Sequence, residues 1–355
     1  MAEWEKNIRQ VTPYVPGEQP DSPAMIKLNT NENPYPPAPA VAKACREFDT
    51  GSLRLYPDPS CAGLVHALAS RYGLKDSQVF VGVGSDDVLA MAFLTFFNGD
   101  LPILFPDITY SFYDVWANLF GIPYEQKPLN EKFQIRKEDY FQKNGGIVFP
   151  NPNAPTSVFL PLAEVEEILA ANQDSVVIVD EAYVDFAPAS AVSLLERYEN
   201  LLVVQTFSKS RSMAGMRIGY AMGSEKLIHA LESVKESFNS YTMNRLTLLL
   251  GEKALAEEAY FQDSLKKIIR TREAAKEKMK ALGFEFPDSQ SNFLFVRHPD
   301  MPAGEIFRKL RKREIYVRHW NKDRVEDWLR ISIGTDQEME RLYEALEEIL
   351  ADGKD

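Results

Sequence analysis

The chain has 355 residues, 45% of them hydrophobic and 26% charged, enough apolar material for a large core and more length than one domain usually holds. Its 40 Lys and Arg against 52 Asp and Glu leave a formal charge of −12, which argues against a nucleic-acid partner held through its phosphates. Two cysteines and four histidines without metal-ligand spacing predict neither a disulfide scaffold nor a metal centre.

Residues 1–40 are rich in Pro and Asn and end in LNTNENPYPPAP. This predicts an extended arm, because Pro removes a donor and restricts the residue before it. The opening MAEWEKNIRQ has no apolar centre of signal-peptide type, and the most apolar run, Ala90–Phe97, is too short to cross a bilayer. The expected address is the cytoplasm. From 41 to 250, short apolar runs alternate with helical patterns. Strands are expected at Val79–Val83, Pro102–Phe105, Ile147–Phe149, Val176–Val179, Leu201–Gln205 and Ile218–Met222. Helices are expected among them at Asp86–Phe97, Ser111–Phe120, Leu162–Ala171 and Glu225–Lys235. The strand runs are continuous in apolar character, as for strands covered on both faces. An α/β fold follows, with a three-layer αβα large domain built on a mainly parallel sheet. After Gly251 the texture changes to a long charged helix near Glu257–Leu282, stopped by Gly283. Strands near Asn292–Val296, Ile315–Arg318 and Trp328–Ile333 follow, with helices at Ala303–Lys312 and Gln337–Leu350. Residues 251–355 therefore read as a smaller α+β domain, which the arm over 1–40 is expected to join.

Three stretches carry groups that can do chemistry. In QTFSKSRSMAGMRIGYA a strand ends at Gln205, and small and hydroxyl residues surround Lys209. A lone lysine there reads as exposed. With Thr206, Ser208 and Arg217 around it, it also reads as an amine beside a phosphate site, which an imine-forming cofactor requires. In VVIVDEAYVDF a buried strand delivers Asp180 at its carboxyl end, where ligands bind in open α/β sheets. Asp180 can be a turn cap, or the acid of a nucleotide hydrolase, but the phosphate-binding loop of the latter is absent. Opposite a pyridine cofactor it would pair with the ring nitrogen, with Tyr183 reaching the phenolic oxygen. In FVGVGSDDVLAMAF the strand breaks at Gly82 and Gly84, and Ser85-Asp86 opens an apolar helix. That is an ordinary N-cap or an anion site, and as a dinucleotide fingerprint it lacks the third glycine.

The chain resembles the histidinol-phosphate aminotransferases, members of the fold type I pyridoxal-phosphate enzymes. The resemblance rests on PYVPG at Pro13, LNTNENPYPP at Leu28, LYPDP at Leu55, GVGSDD at Gly82 and FPNPNAPTS at Phe149. It continues through VDEAYVDF at Val179, TFSKSRSMAGMRIGYA at Thr206 and LRISIGT at Leu329. The resemblance implies that Lys209 bonds the cofactor, that Asp180 holds the pyridine nitrogen and that Tyr183 contacts the phenolic oxygen. It places Gly84, Ser85, Asp86, Thr206, Ser208 and Arg217 around the phosphate and Tyr110 on the ring. Tyr56 would reach the neighbouring subunit's phosphate, implying a homodimer with shared sites. Arg330 and Arg318 would hold the substrate anion, with Tyr14 and Asn33 in the arm that closes over it. Two departures stand out. The family reads N-P-x-N-P-T-G where this chain has NPNAPTS, so Ala154 replaces the asparagine that touches the phenolic oxygen. Either Asn153 supplies that contact or Tyr183 carries it alone. Ser157 replaces the glycine, so the local turn is expected to differ.

The implied reaction is transamination of L-histidinol phosphate with 2-oxoglutarate. An aromatic amino acid aminotransferase or a threonine-phosphate decarboxylase would share the cofactor residues. A nicotinamide dehydrogenase, or a catalytically dead domain of the same fold, are the readings furthest from it.

Overall fold

The structure, a computed structural model, describes residues 2–22 and 24–352. Its centre is a seven-stranded sheet: β2 (Val79–Gly82), β3 (Ile103–Pro106), β4 (Tyr124–Lys127), β5 (Gly146–Pro150), β6 (Val177–Asp180), β7 (Leu201–Thr206) and β8 (Gly219–Gly223). The spatial order is β2-β8-β7-β6-β5-β3-β4. Neighbouring strands run parallel except β8, which is antiparallel to both β2 and β7. A short strand, β1 (Ile26–Lys27), precedes the sheet in the chain.

The continuous apolar runs have a direct cause. Successive side chains of a strand point to opposite faces. Val177, Val179, Leu201 and Val203 feed one core, and Ile178, Leu202 and Val204 feed the core on the other face. The first face is covered by α1 (Pro39–Arg46), α2 (Ala62–Tyr72), α5 (Leu162–Ala171) and α7 (Arg245–Ala256). The other is covered by α3 (Ser85–Phe96), α4 (Tyr113–Phe120) and α6 (Glu225–Phe238). A strand wetted on either face could not read this way. Of the seven strands of this sheet only β4 escaped the sequence reading, because its sequence YEQK, on one outer edge, is largely exposed and polar.

A third core gathers α8 (Glu258–Ala281), β9 (Phe293–Val296), α9 (Ala303–Lys312), β12 (Leu329–Ser332) and α10 (Asp336–Ala351), and it also buries Ile26 and Leu28 of the arm. Helix α8 stops at Gly283, which takes φ of +86° while Phe284 N–H reaches back to Met279 O, the left-handed C-terminal cap expected there. The strand expected at Ile315–Arg318 is divided. Its first half, β10 (Ile315–Tyr316), pairs in parallel with β1, and its second half, β11 (Arg318–His319), pairs antiparallel with β12. The segment has a partner on each side, and Val317 between them is buried. Among the described residues no helix is long and apolar enough to cross a membrane, and no cluster of three or more His, Cys, Asp or Glu could hold a metal ion.

The antiparallel β8 forces one close approach. A Cβ on Gly219 would lie 2.2 Å from the Gly84 carbonyl carbon and 2.3 Å from Ser85 N. Both are backbone atoms that cannot swing aside. Gly219→Ala should therefore push β8 from the start of α3, costing on the order of 1–3 kcal/mol as an overpacked site does. Urea unfolding should show the loss, and an unchanged midpoint would mean that the two segments separate freely.

Candidate active site

Parallel strands deliver their carboxyl ends to one edge of a sheet, and ligands bind at that edge. Asp180 is the last residue of β6, Thr206 is the last of β7, and Ser208 and Lys209 follow it. Gly84 and Ser85 follow β2, and Tyr110 follows β3. Because β8 runs backwards, its beginning lies at the same edge, which brings in Arg217. Two adjoining cavities open here and share Thr30, Asp86, Tyr110, Ala154, Tyr183 and Lys209. The inner one has a volume of about 220 Å³ and the outer one about 320 Å³.

At one end of the inner cavity stands Asp180, 4% exposed. Its Oδ2 accepts from the Tyr113 hydroxyl at 2.9 Å and its Oδ1 from Ala182 N–H at 3.2 Å. These donors favour the carboxylate, yet burial outweighs them and, with the charge of Asp86 adding, pushes the carboxyl up to about 6. Among the described residues no cation pairs with it. Burial likewise raises the Tyr110 and Tyr113 phenols well above the ordinary range, with Asp86 and Asp180 respectively adding to it, so both stay neutral donors.

At the other end the groups suit an anion. Ser85 opens the twelve-residue helix α3, whose free N–H groups carry partial positive charge. Thr206, Ser208 and Arg217 line the same cavity. Arg217 Nη2 lies 3.2 Å from Asp86 Oδ2, and Asp86 Oδ1 accepts from the Tyr110 hydroxyl at 2.6 Å. Gly84 has φ of +85°, and a Cβ there would meet Arg217 Nη2 at 2.4 Å. Only a glycine leaves that room. Between the two ends, Lys209 Nζ donates to Thr30 O at 3.0 Å and lies 5.7 Å from the centre of the Tyr183 ring.

The outer cavity holds two arginines. Arg318 of β11 and Arg330 of β12 stand directly opposite each other across an antiparallel pair. Like charges in that position repel. Neither has a carboxylate partner within ion-pairing distance among the described residues. Arg330 Nη2 donates to Asn29 O at 2.9 Å, while its buried Nε has no partner. Both guanidinium groups rest near the Trp320 ring, at 5.5 and 5.4 Å, and Arg330 is also 5.3 Å from Phe293. Burial first, with Arg318 among the lesser causes, lowers Arg330 from its ordinary value. Two cations gathered without an acid define a site for an anion from outside. Tyr14 lines the cavity from the arm, its ring stacked on Phe112 at 4.2 Å.

Three expected residues lie elsewhere. Asn33 lines neither cavity. Its carboxamide donates to Ser210 O at 2.9 Å and accepts from Tyr35 N–H at 3.0 Å, so it ties the arm to the Lys209 loop. The Asn153 carboxamide is turned away as well, donating to Ile108 O and Thr156 Oγ1 and accepting from the Thr109 hydroxyl. Tyr56 is 79% exposed, outside both cavities of its own chain, with its ring 4.8 Å from that of Tyr241. The turn at Ser157 holds the shape a glycine would give, since Ser157 itself takes φ of +65°. Tyr113, Asn31, Thr30 and Trp320 were not singled out from sequence. Asn31 has φ of +56°. That reverses the alternation an extended LNTNENP segment would have, so Asn31, though it lines neither cavity itself, reaches the Tyr183 hydroxyl, whereas Asn33 reaches Ser210 O.

These residues fit pyridoxal phosphate. One end of the inner cavity offers a buried acid without a cation, the other an anion cradle that a Cβ would fill, and Lys209 stands at the junction with the outer cavity.

The aminotransferase class I and II family model matches residues 23–346. The histidinol-phosphate aminotransferase of Lactococcus lactis subsp. cremoris strain MG1363 is 51% identical over 347 residues, covering 98% of each chain. That of Pseudomonas putida strain F1 is 50% identical over 97% of this chain and 99% of its own. The crystal structure of histidinol-phosphate aminotransferase from Sinorhizobium meliloti in complex with pyridoxal-5′-phosphate superposes with a TM-score of 0.84 at 24% identity, covering 92% of this chain and 90% of that one. The last likeness concerns the fold.

The lone acid predicts a pH effect in the cofactor-free protein. An unfolded aspartate loses its proton near its ordinary value of 3.8, but folded Asp180 holds it to about 6. Stability from this group is thus full below about pH 4 and declines as pH rises to about 6. Asp180→Asn cannot ionise, so it should stabilise the cofactor-free protein at pH 7.5 by on the order of 3 kcal/mol and by less than about 1 kcal/mol at pH 4. Urea unfolding at the two pH values checks this. A destabilised variant at pH 7.5 would show that the carboxylate already has a cation.

Proposed function

We propose that this chain, which belongs to the aminotransferase class I and II family, exchanges the amino group of L-histidinol phosphate with 2-oxoglutarate. The products are imidazole-acetol phosphate and glutamate, in histidine biosynthesis. The observation that supports this donor is the Arg318–Arg330 pair, opposed across two strands without an acid. Histidinol phosphate carries no carboxylate, so its phosphate must use the position that the α-carboxylate of glutamate uses. A phosphate has more charge and more acceptor oxygens than a carboxylate, and two planar guanidinium groups suit it. The names of the relatives point to the same donor.

Pyridoxal 5′-phosphate, when bound, supplies an aldehyde that condenses with amines and a pyridine ring that takes up an electron pair. Asp180 holds a proton at the ring nitrogen, and the missing cation of its buried carboxyl is thereby provided. Tyr183 donates to the phenolic oxygen. Ser85, Thr206, Ser208 and Arg217 hold the phosphate, with Gly84 leaving room and Asp86 orienting Arg217. Tyr110 covers one face of the ring. Lys209 would anchor the cofactor in the resting enzyme, and once displaced by the donor its Nζ would take the proton from the donor's α-carbon and deliver it to the cofactor's former aldehyde carbon. Arg330 and Arg318 orient the donor, and Tyr14 closes the outer cavity against water. The large cofactor-binding unit spans 41–250, and the smaller one comprises 251–355 with the arm over 1–40. The address is the cytoplasm.

Removing Arg318 separates this donor from an aromatic amino acid. Arg318→Ala should cost histidinol phosphate one charge-assisted hydrogen bond, about 1.5–3 kcal/mol or about 10- to 150-fold in kcat/KM. Phenylalanine, with a carboxylate and an apolar ring, should lose much less. Equal losses for the two donors would remove Arg318 from the phosphate site, and a parent enzyme that prefers phenylalanine would overturn the donor.

The enzyme acts as a homodimer with shared sites. Supporting this, Tyr56 and Tyr241 are exposed at 79 and 46% with their rings 4.8 Å apart, an apolar pair on the surface outside both cavities of their own chain. Mixing a Lys209→Ala subunit with an impaired Tyr56→Phe or Tyr56→Ala subunit should restore activity, because one hybrid site receives both intact residues. No recovery after verified subunit exchange would count against the shared site.

A further inference from the structure

Ala154 leaves the cofactor's phenolic oxygen without the amide that the family pattern places there, and Asn153 does not replace it, since its carboxamide is fully engaged with Ile108, Thr109 and Thr156. We propose that Asn31 takes over as a positioning residue, acting through Tyr183: its amide donates to the Tyr183 hydroxyl and so commits that hydroxyl's own proton to the cofactor. This rests on the cofactor assignment above.

The geometry is specific. Asn31 Nδ2 lies 2.9 Å from Tyr183 Oη. The orientation of the amide is set on its other side, where Ser332 Oγ accepts from Asn31 N–H at 2.9 Å and donates its hydrogen to Asn31 Oδ1 at 3.1 Å. The Asn31 carbonyl accepts from Asn292 Nδ2 at 3.0 Å. Asn31 is 1% exposed and holds φ of +56°, an arrangement that needs these surroundings to persist. With its lone pair occupied by the amide, the Tyr183 hydroxyl has a hydrogen to give and no acceptor for it among the described residues. Tyr183 lines both cavities. That hydrogen is therefore free to be given to an oxygen of a molecule bound in the cavities.

The two residues before Asn31 in the chain belong to the same device. Asn29 O accepts from Arg330 Nη2 and Thr30 O from Lys209 Nζ. Three successive residues of the arm thus touch the anion site, the base and the phenol donor. The charged groups around Tyr183 are Lys209 beyond the end of β7, Arg330 on β12 and Asp180 at the end of its own strand.

A hydrogen bond donated to the phenolic oxygen draws off its negative charge, so that oxygen holds the proton shared with Lys209 Nζ less tightly. Weakening the donor raises the pH at which the cofactor's visible band changes. In the holoenzyme, Asn31→Ala should move that midpoint up by about half to one pH unit, the worth of one hydrogen bond. Asn31→Asp, which keeps the shape but accepts the Tyr183 proton, should move it the same way. The shift should vanish when Asn31→Ala is made in a Tyr183→Phe background, and Ala154→Asn added to Asn31→Ala should bring it back. A purely structural role for Asn31 would lower the melting temperature and leave the midpoint in place. An unmoved midpoint in both Asn31 variants, or a shift that persists without the Tyr183 hydroxyl, overturns the proposal. A parent protein without any titrating visible band would instead overturn the cofactor assignment on which it rests.

Discussion

Asp180 leaves water at the end of β6 with two hydrogen-bond donors and no cation, and the rest of the site is arranged around that deficit. A buried carboxyl in that position is pushed up to about 6, so the cofactor-free protein carries a strained acid at neutral pH. The strain is local to the carboxyl edge of the sheet, where the backbone has ended and side chains have no ladder to join. It is relieved by whatever brings a positively charged nitrogen into the inner cavity. An incoming cationic nitrogen would thus find its partner already in place.

The outer cavity has the opposite imbalance. Arg318 and Arg330 face each other in register on β11 and β12, and aromatic rings, with no carboxylate, form their near surroundings. An acid there would neutralise the pair and weaken its attraction for any anion. Trp320 and Phe293 support the guanidinium groups without neutralising them. An uncompensated acid and two uncompensated cations sit in adjoining cavities, with Lys209 lining both. Each charge is held by neutral donors, acceptors or rings that cannot satisfy it.

The arm links these parts. Its residues 29–31 take hydrogen bonds from Arg330 and Lys209 and give one to Tyr183, while Ile26 and Leu28 bury into the third core. The β1–β10 pairing fixes the register of this contact, and the division of β10 from β11 at Val317 lets one short segment serve the arm and the arginine strand together. The position of the arm is set by burial of its apolar residues. The polar contacts follow from that placement.

The α/β alternation was legible because a strand buried on both faces must be apolar throughout, and Ile178 beside Val179 shows why: the two side chains enter different cores. Lys209, Asp180 and the Ser85 helix start were legible because strand ends collect ligand groups whatever the later packing. Other features depended on the assembled chain. That β8 runs antiparallel, bringing Arg217 back to the site edge, depends on pairing with β2 and β7, which an apolar run does not encode. That Arg318 meets Arg330 depends on a register between segments far apart in the chain. That Asn31 and not Asn33 reaches Tyr183 depends on one left-handed residue, held by Ser332 and Asn292 from the other end of the sequence. Local sequence determined which residues could act at a strand end. Long-range pairing decided which of them meet, because direction and register are set by partners distant in the chain.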